Sequence, residues 1–93
     1  MATRSRVWPD SPTHPGALLA DELTARDLTP ADLATLARAE TKTVEDVLKG
    51  RAPVNADFAW GLERALEGIS ARFWMSLQSD YDLAVARLKR SNT

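Results

Sequence analysis

Apolar residues recur at steps of three and four along most of the chain, which is the spacing of one face of an α-helix. The first such segment follows Pro15, a residue that suits the first turn of a helix. Its apolar positions are Leu18, Leu19 and Leu23. No stretch shows the alternation of apolar and polar residues that is typical of a half-buried strand. The pattern therefore predicts an all-α fold.

The clearest helix start in the chain precedes the second apolar segment. Thr29 supplies a hydroxyl N-cap, Pro30 suits the first helical position, and Asp32 places a carboxylate three residues after the cap. We expect this second helix to stop near Arg38 to Glu40, after about ten residues.

Three further helices are predicted. One opens at residues 41–43 and stops at Gly50, with its apolar face formed by Val44, Val47 and Leu48. The next is capped by Asn55 and broken by Gly68. Its apolar face holds Phe58, Ala59, Leu62, Ala65 and Leu66. Ser70 can cap the last and longest helix, whose apolar stripe is Phe73, Trp74, Leu77, Tyr81, Val85 and Leu88.

The length of 93 residues suits one domain with one core, because domains usually run to about 50 to 200 residues. Residues 1–14 are rich in proline, serine and threonine, so we predict an irregular N-terminal arm there. Residues 15–93 are predicted to form the helical domain and its long C-terminal helix.

The second and third helices are short and joined by a tight turn, which is typical of a helix-turn-helix. In that motif the third helix enters the major groove of DNA. The core requirement is that Leu33 and Ala34 face Val44 and Val47, and the chain supplies these residues. Any small helical bundle could share the spacing, so a bundle without DNA binding remains an alternative.

The third helix carries the predicted DNA contacts. Lys42 could donate to guanine acceptors, the threonines beside it could reach a base, and Asp46 could accept from a cytosine amino group. Lys49 and Arg51 suit phosphates, as do free backbone N–H groups at residues 29–32. Alternatively, a threonine merely caps this helix and Lys42 is solvated. The predicted DNA-contacting residues are Thr29, Thr41, Lys42, Thr43, Asp46, Lys49 and Arg51.

The net charge of the chain does not favour DNA binding. It is −1, from 12 Lys and Arg residues and 13 Asp and Glu residues, whereas DNA-binding domains are usually basic. Glu40, Glu45 and Asp46 also place acidic groups near the predicted contacts. A dimer that reads two half-sites would offset the modest affinity of one domain. The last helix is longer than its own core needs, so we predict that its stripe from Phe73 to Leu88 forms a homodimer interface. Alternatively, Trp74 and Tyr81 cover only the domain's own helices.

Other functions find little support in the sequence. Cysteine is absent, His14 is the one histidine, and no metal-ligand spacing or glycine-rich phosphate loop occurs. We therefore expect no catalysis, metal, cofactor or small-molecule substrate, and Trp8 and Trp60 are predicted to be packing residues. No signal segment and no run of about 20 apolar residues occurs, so we expect a cytoplasmic protein without a membrane partner.

Three segments of the chain match motifs of one known family. His14-Pro15-Gly16 and the leucines after it resemble the HPG-x-x-L-x-x-E-L opening of HigA-type antitoxins, and Lys49-Gly50-Arg51 resembles the end of that family's helix-turn-helix. The most distinctive match is FW-x-x-LQ-x-x-YDL at residues 73–83, because generic helix-turn-helix repressors lack it. The resemblance covers residues 14 to 88.

The resemblance implies a five-helix, lambda-repressor-like domain that pairs with a HigB/RelE-like messenger-RNA-cleaving toxin and represses its own operon as a dimer. Two positions depart from the family pattern, with Pro30 in place of glutamine and Arg38 in place of the turn glycine. Arg38 must then adopt a left-handed conformation, or the turn is reshaped. A toxin-neutralising module with weak DNA binding, a stand-alone repressor and a detached part of a longer regulator remain alternatives.

Overall fold

The computed structural model describes residues 13–91 and contains five α-helices and no strand in that range. The helices are α1 (Pro15–Arg26), α2 (Pro30–Ala37), α3 (Thr41–Leu48), α4 (Ala56–Ala65) and α5 (Ala71–Ser91). This confirms the predicted all-α fold with five helices and a long C-terminal helix. The predicted N-terminal arm lies outside the described residues except for its last two positions, and Trp8 is among the residues not described.

Side-chain caps set three of the helix starts, as predicted. In α2, the Asp32 N–H donates to the Thr29 hydroxyl at 3.0 Å, and the Thr29 N–H donates to the Asp32 carboxylate at 3.0 Å. The side chains of Asn55 and Ser70 accept from the backbone N–H three residues later, at 2.8 and 3.1 Å. Each such cap contributes about 1 kcal/mol to the stability of its helix.

The core lies where α2 packs against α3 and α4, and where α5 closes over α4. The predicted pairing is confirmed, since Leu33, Ala34, Val44 and Val47 are all buried. Large side chains at the centre of the core are Leu19, Leu33, Leu62, Leu66 and Trp74, each 0% exposed. Burying such a side chain contributes roughly 1.5–3 kcal/mol.

Two glycines allow backbones to approach each other closely. A Cβ atom on Gly16 of α1 would overlap the carbonyl oxygen of Val47 in α3. A Cβ atom on Gly61 of α4 would lie 2.6 Å from the carbonyl oxygen of Ala37 in α2. The two helices of the predicted helix-turn-helix are therefore each held by a backbone contact with a neighbouring helix.

The apolar stripe of α5 is divided between the core and the surface. Trp74 was predicted to face a second chain, and this was wrong because its side chain is fully buried in the domain's own core. Tyr81 is half-buried, with its ring centroid 4.9 Å from that of His14 in an edge-to-face contact. Phe73 and Leu88 remain 45% and 38% exposed.

Trp60 also differs from its prediction as a packing residue, because 57% of it is exposed on α4. The helical period does not reveal this, since a bulky aromatic residue beside the apolar face of a helix can lie at the edge of the core. Across residues 13–91, none of the helices is long and apolar enough to cross a membrane.

Candidate nucleic-acid interface

The helix α3 has one buried face and one exposed face. Val44 and Val47 are fully buried, and Leu48 is partly buried against the core. Thr41, Lys42, Glu45 and Lys49 are exposed, whereas Thr43 and Asp46 are half-buried. The predicted division of this helix between core and surface is confirmed.

The turn before α3 depends on Arg38. Its backbone is left-handed, with φ 59° and ψ 45°, which confirms one of the two predicted ways to replace the glycine of the family pattern. The Ala39 N–H then donates to the Ala34 carbonyl at 2.9 Å. Arg64 of α4 donates from its guanidinium group to the Ala37 carbonyl at 3.1 Å. These contacts close the end of α2 and fix the direction in which α3 begins.

The N-terminus of α3 is open. Its N-cap is Glu40, and no side chain forms a capping hydrogen bond there. The alternative that Thr41 or Thr43 caps the helix is therefore wrong. Because the first N–H groups of a helix lack partners within the helix, this end presents backbone donors beside Thr41 and Lys42.

The N-terminus of α2 is largely occupied. The N–H groups of Thr29 and Asp32 are used within the capping box, and Pro30 has no N–H. In the part of the chain that the structure describes, only the Ala31 N–H lacks an acceptor in this turn. Of the backbone N–H groups at residues 29–32 that were predicted to be free, one therefore remains. The capping box that starts α2 uses the N–H groups of Thr29 and Asp32.

Two of the predicted DNA-contacting cations lie against Asp46. The Lys42 Nζ atom is 3.0 Å from one carboxylate oxygen of Asp46, and a terminal nitrogen of Arg51 is 3.8 Å from the other. The three side chains are 79%, 65% and 24% exposed for Lys42, Arg51 and Asp46. Lys49 makes no ion pair with any described residue. The sequence interpretation missed the pairing, although the i,i+4 spacing of Lys42 and Asp46 is a signal for it.

Hydrogen bonds to α3 and to α5 fix the segment that follows α3. The Asp46 carbonyl accepts from the Arg51 N–H at 2.8 Å and from the Ala52 N–H at 3.3 Å. The Val54 N–H donates to the buried side chain of Gln78 in α5 at 2.8 Å. This hydrogen bond connects the FW-x-x-LQ-x-x-YDL element to the segment that follows α3.

A second hydrogen bond orients the side-chain amide of Gln78. Its Nε2 atom donates to the Asp82 carboxylate at 2.9 Å. Neither of these contacts was predicted from the sequence. A glutamine inside an apolar helical stripe was the available signal, because a buried amide needs hydrogen-bond partners.

Within residues 13–91, no group of three histidine or acidic residues is arranged to hold a metal ion. The surface around α3 therefore presents hydroxyl groups, backbone N–H groups and three cations, of which Lys42 and Arg51 lie against the Asp46 carboxylate. Such groups are those that contact phosphates and base edges in DNA-binding proteins.

No family model matches the chain. A curated relative, the virulence-associated protein A' of Dichelobacter nodosus, is 27% identical over 74 residues, which are 80% of this chain. The match spans 64% of that relative's length.

Solved structures give closer matches. The Pseudomonas aeruginosa antitoxin HigA, solved with the higBA promoter, is 40% identical, with a TM-score of 0.80 over 87% of this chain and 88% of that one. An addiction module antidote protein of the HigA family from Coxiella burnetii is 35% identical, with a TM-score of 0.78 over 88% of each chain. With these identities and this shared fold over most of both chains, the chain belongs to the HigA family of antitoxins.

Proposed function

We propose that this chain is the antitoxin of a type II toxin–antitoxin pair. In this role it neutralises a HigB/RelE-like messenger-RNA-cleaving toxin and represses its own operon through the helix-turn-helix formed by α2 and α3. The observation that carries the DNA-binding part is the open N-terminus of α3, where Thr41 and Lys42 are exposed on a helix whose opposite face is fixed in the core.

Every predicted DNA contact except Asp46 has a role in this proposal. Thr41, Lys42 and Thr43 reach base edges in the major groove, because N-terminal residues of such a helix lie deepest there. Lys49 and Arg51 neutralise phosphates, and the Ala31 N–H with the Thr29 hydroxyl contacts the backbone on the other side. That the Pseudomonas aeruginosa relative was solved with its promoter supports this use of the fold.

The proposal includes a homodimer that reads two half-sites. With Trp74 assigned to the core, the interface that remains on the α5 stripe is formed by the exposed Phe73 and Leu88 with the half-buried Leu77 and Val85. Apolar side chains exposed along one helix are suited to packing against a second copy. Two weakly binding domains joined in this way gain affinity without any new DNA contact.

A second candidate is a toxin-neutralising module of the same fold with weak DNA binding. The observation that favours it is that Asp46 engages both Lys42 and Arg51, which lowers the positive charge available to phosphates. A repression assay separates the two candidates. A reporter driven by the DNA upstream of this gene should be repressed by the wild-type chain and derepressed by the double variant Lys42→Ala, Arg51→Ala.

If the wild-type chain gives no repression while it still neutralises the toxin, the second candidate is correct. Toxin pairing is tested by co-expression with the adjacent reading frame. We expect the wild-type chain to restore growth and to co-purify with the toxin in a stable complex. The double variant should do the same, since its substitutions lie on the proposed DNA-binding surface, at the start of α3 and in the segment after it. Failure of the wild-type chain to restore growth would contradict the antitoxin role.

A further inference from the structure

The carboxylate of Asp46 lies between two cations of the proposed DNA-binding surface. It accepts from the Lys42 ammonium group at 3.0 Å through one oxygen and faces the Arg51 guanidinium group at 3.8 Å through the other. Lys42 belongs to the first turn of α3 and Arg51 to the segment after the helix. One side chain therefore links the base-facing end of α3 with the phosphate-facing segment that follows it.

The backbone of Asp46 strengthens this arrangement. Its carbonyl accepts from the N–H groups of Arg51 and Ala52, so the position of Arg51 is set by the same residue that its side chain approaches. Asp46 is also the least exposed of the three, with 24% of its side chain accessible. A carboxylate anchored in this way can hold a long, exposed lysine in one orientation.

We infer that Asp46 is a positioning residue that makes DNA binding more selective and weaker. It holds Lys42 over the base edges and keeps Lys42 and Arg51 from binding any available phosphate. This inference rests on the proposed DNA binding, because it assigns a role within that same surface. It also replaces the predicted contact between Asp46 and a cytosine amino group, since both oxygens of the carboxylate already face cations.

The physical argument concerns two different contributions to binding. Phosphate contacts raise affinity for every DNA sequence, whereas oriented base contacts raise affinity for one sequence. A lysine with free rotation about its side chain supplies mainly the first contribution. A lysine held by a carboxylate four residues away adds less to the affinity for every DNA sequence and more to the affinity for one sequence.

The test compares Asp46→Asn with the wild-type chain on two DNA duplexes. One duplex comes from directly upstream of the gene, and the other is a scrambled duplex of the same composition. We expect Asp46→Asn to bind the scrambled duplex more tightly, and its ratio of upstream to scrambled affinity to fall about three- to tenfold. The slope of log affinity against log salt should steepen by about one for each domain bound, because one more cation per domain reaches a phosphate.

Glu45→Gln is the matched control. Glu45 is the neighbouring residue, carries the same charge, is exposed and makes no ion pair with any described residue. Its substitution changes the net charge by the same amount as Asp46→Asn. It should therefore raise affinity for both duplexes by a similar factor and leave their ratio unchanged. Equal changes of the ratio in the two variants would overturn the inference.

A second comparison distinguishes positioning from a general loss of structure. In a Lys42→Met background there is no lysine to orient, so Asp46→Asn should no longer lower the ratio. A ratio that falls by the same factor in both backgrounds overturns the inference, as does an unchanged ratio in the Asp46→Asn variant. If the wild-type chain shows no preference for the upstream duplex, the proposed DNA binding fails and this inference fails with it. If the wild-type chain does prefer the upstream duplex and Asp46→Asn leaves that preference unchanged, the inference fails and the proposed DNA binding stands.

Discussion

The carbonyl oxygen of Val47 in α3 occupies the space that a Cβ atom on Gly16 of α1 would need. The two backbones are therefore in direct contact, with the carbonyl carbon of Val47 only 3.0 Å from that ideal Cβ position. His14 caps α1 just before this point, since its Nδ1 atom accepts from the Gly16 N–H at 2.9 Å. The histidine, proline and glycine at the start of α1 thus set how closely α1 approaches α3.

The first prediction is that Gly16→Ala destabilises the protein. Glycine to alanine within a helix normally stabilises by up to about 1 kcal/mol, but here the added methyl group meets backbone that cannot move without shifting α3. We expect a loss of about 1–3 kcal/mol in the free energy of unfolding, measured by urea denaturation. Ala17→Ser, on the exposed side of the same helix, is the control and should change stability by no more than about 0.5 kcal/mol. A Gly16→Ala protein as stable as wild type would contradict the close contact.

The second prediction concerns Gln78. Gln78→Met keeps the length of the side chain but leaves the Val54 N–H without its acceptor in a buried position. We expect a loss of about 1–3 kcal/mol in the free energy of unfolding. Asp82→Asn keeps an oxygen that can accept from the Gln78 amide and should cost less than about 1 kcal/mol. If Gln78→Met and Asp82→Asn have equal effects, the bond to Val54 is not the important one.

The third prediction concerns the left-handed residue before α3. Arg38→Gly should raise the free energy of unfolding by about 0.5–1 kcal/mol, because glycine adopts φ 59° without the penalty of a Cβ atom. Asp27 also has φ 59° and provides the comparison. Asp27→Gly should give a smaller gain, since aspartate tolerates this conformation better than arginine. A lower midpoint in thermal denaturation of Arg38→Gly would show that the arginine side chain contributes more than its backbone strain costs.

The features that local chemistry determines could be predicted from the sequence. The capping residues Thr29, Asn55 and Ser70 fix helix starts through contacts three residues away, so the sequence alone reveals them. The missing glycine of the family pattern left two possibilities, a left-handed Arg38 or a reshaped turn, and the structure has the first. The inward face of α3 followed from helical periodicity.

The features that depend on distant parts of the chain could not be predicted in this way. Gln78 bonds to a backbone group 24 residues away, which no local pattern encodes. Helical periodicity correctly predicts that Trp74 lies on the apolar face of α5. It does not determine whether that face packs against the domain's own core or against a second chain. The links from Asp46 to Lys42 and Arg51 depend on side-chain orientation, which spacing only suggests.

The fourth prediction tests the proposed dimer. Leu88→Glu places a charge in the exposed stripe of α5 and should weaken self-association at least about tenfold, because an apolar contact is replaced by a desolvated carboxylate. Leu83→Glu is the control, since Leu83 is 67% exposed and lies off that stripe. Analytical ultracentrifugation of both variants gives the comparison. Equal weakening by the two substitutions would place the interface elsewhere on α5.

The most direct test of the account is the salt dependence of binding to the DNA upstream of this gene. The fifth prediction is that the wild-type chain binds that duplex in preference to a scrambled one, with affinity falling steeply and linearly on a log–log scale as salt rises. The variant Arg51→Ala should bind more weakly on both duplexes, with a slope smaller by about one for each domain bound. A wild-type chain that shows no preference for the upstream duplex even at low salt would contradict operator binding.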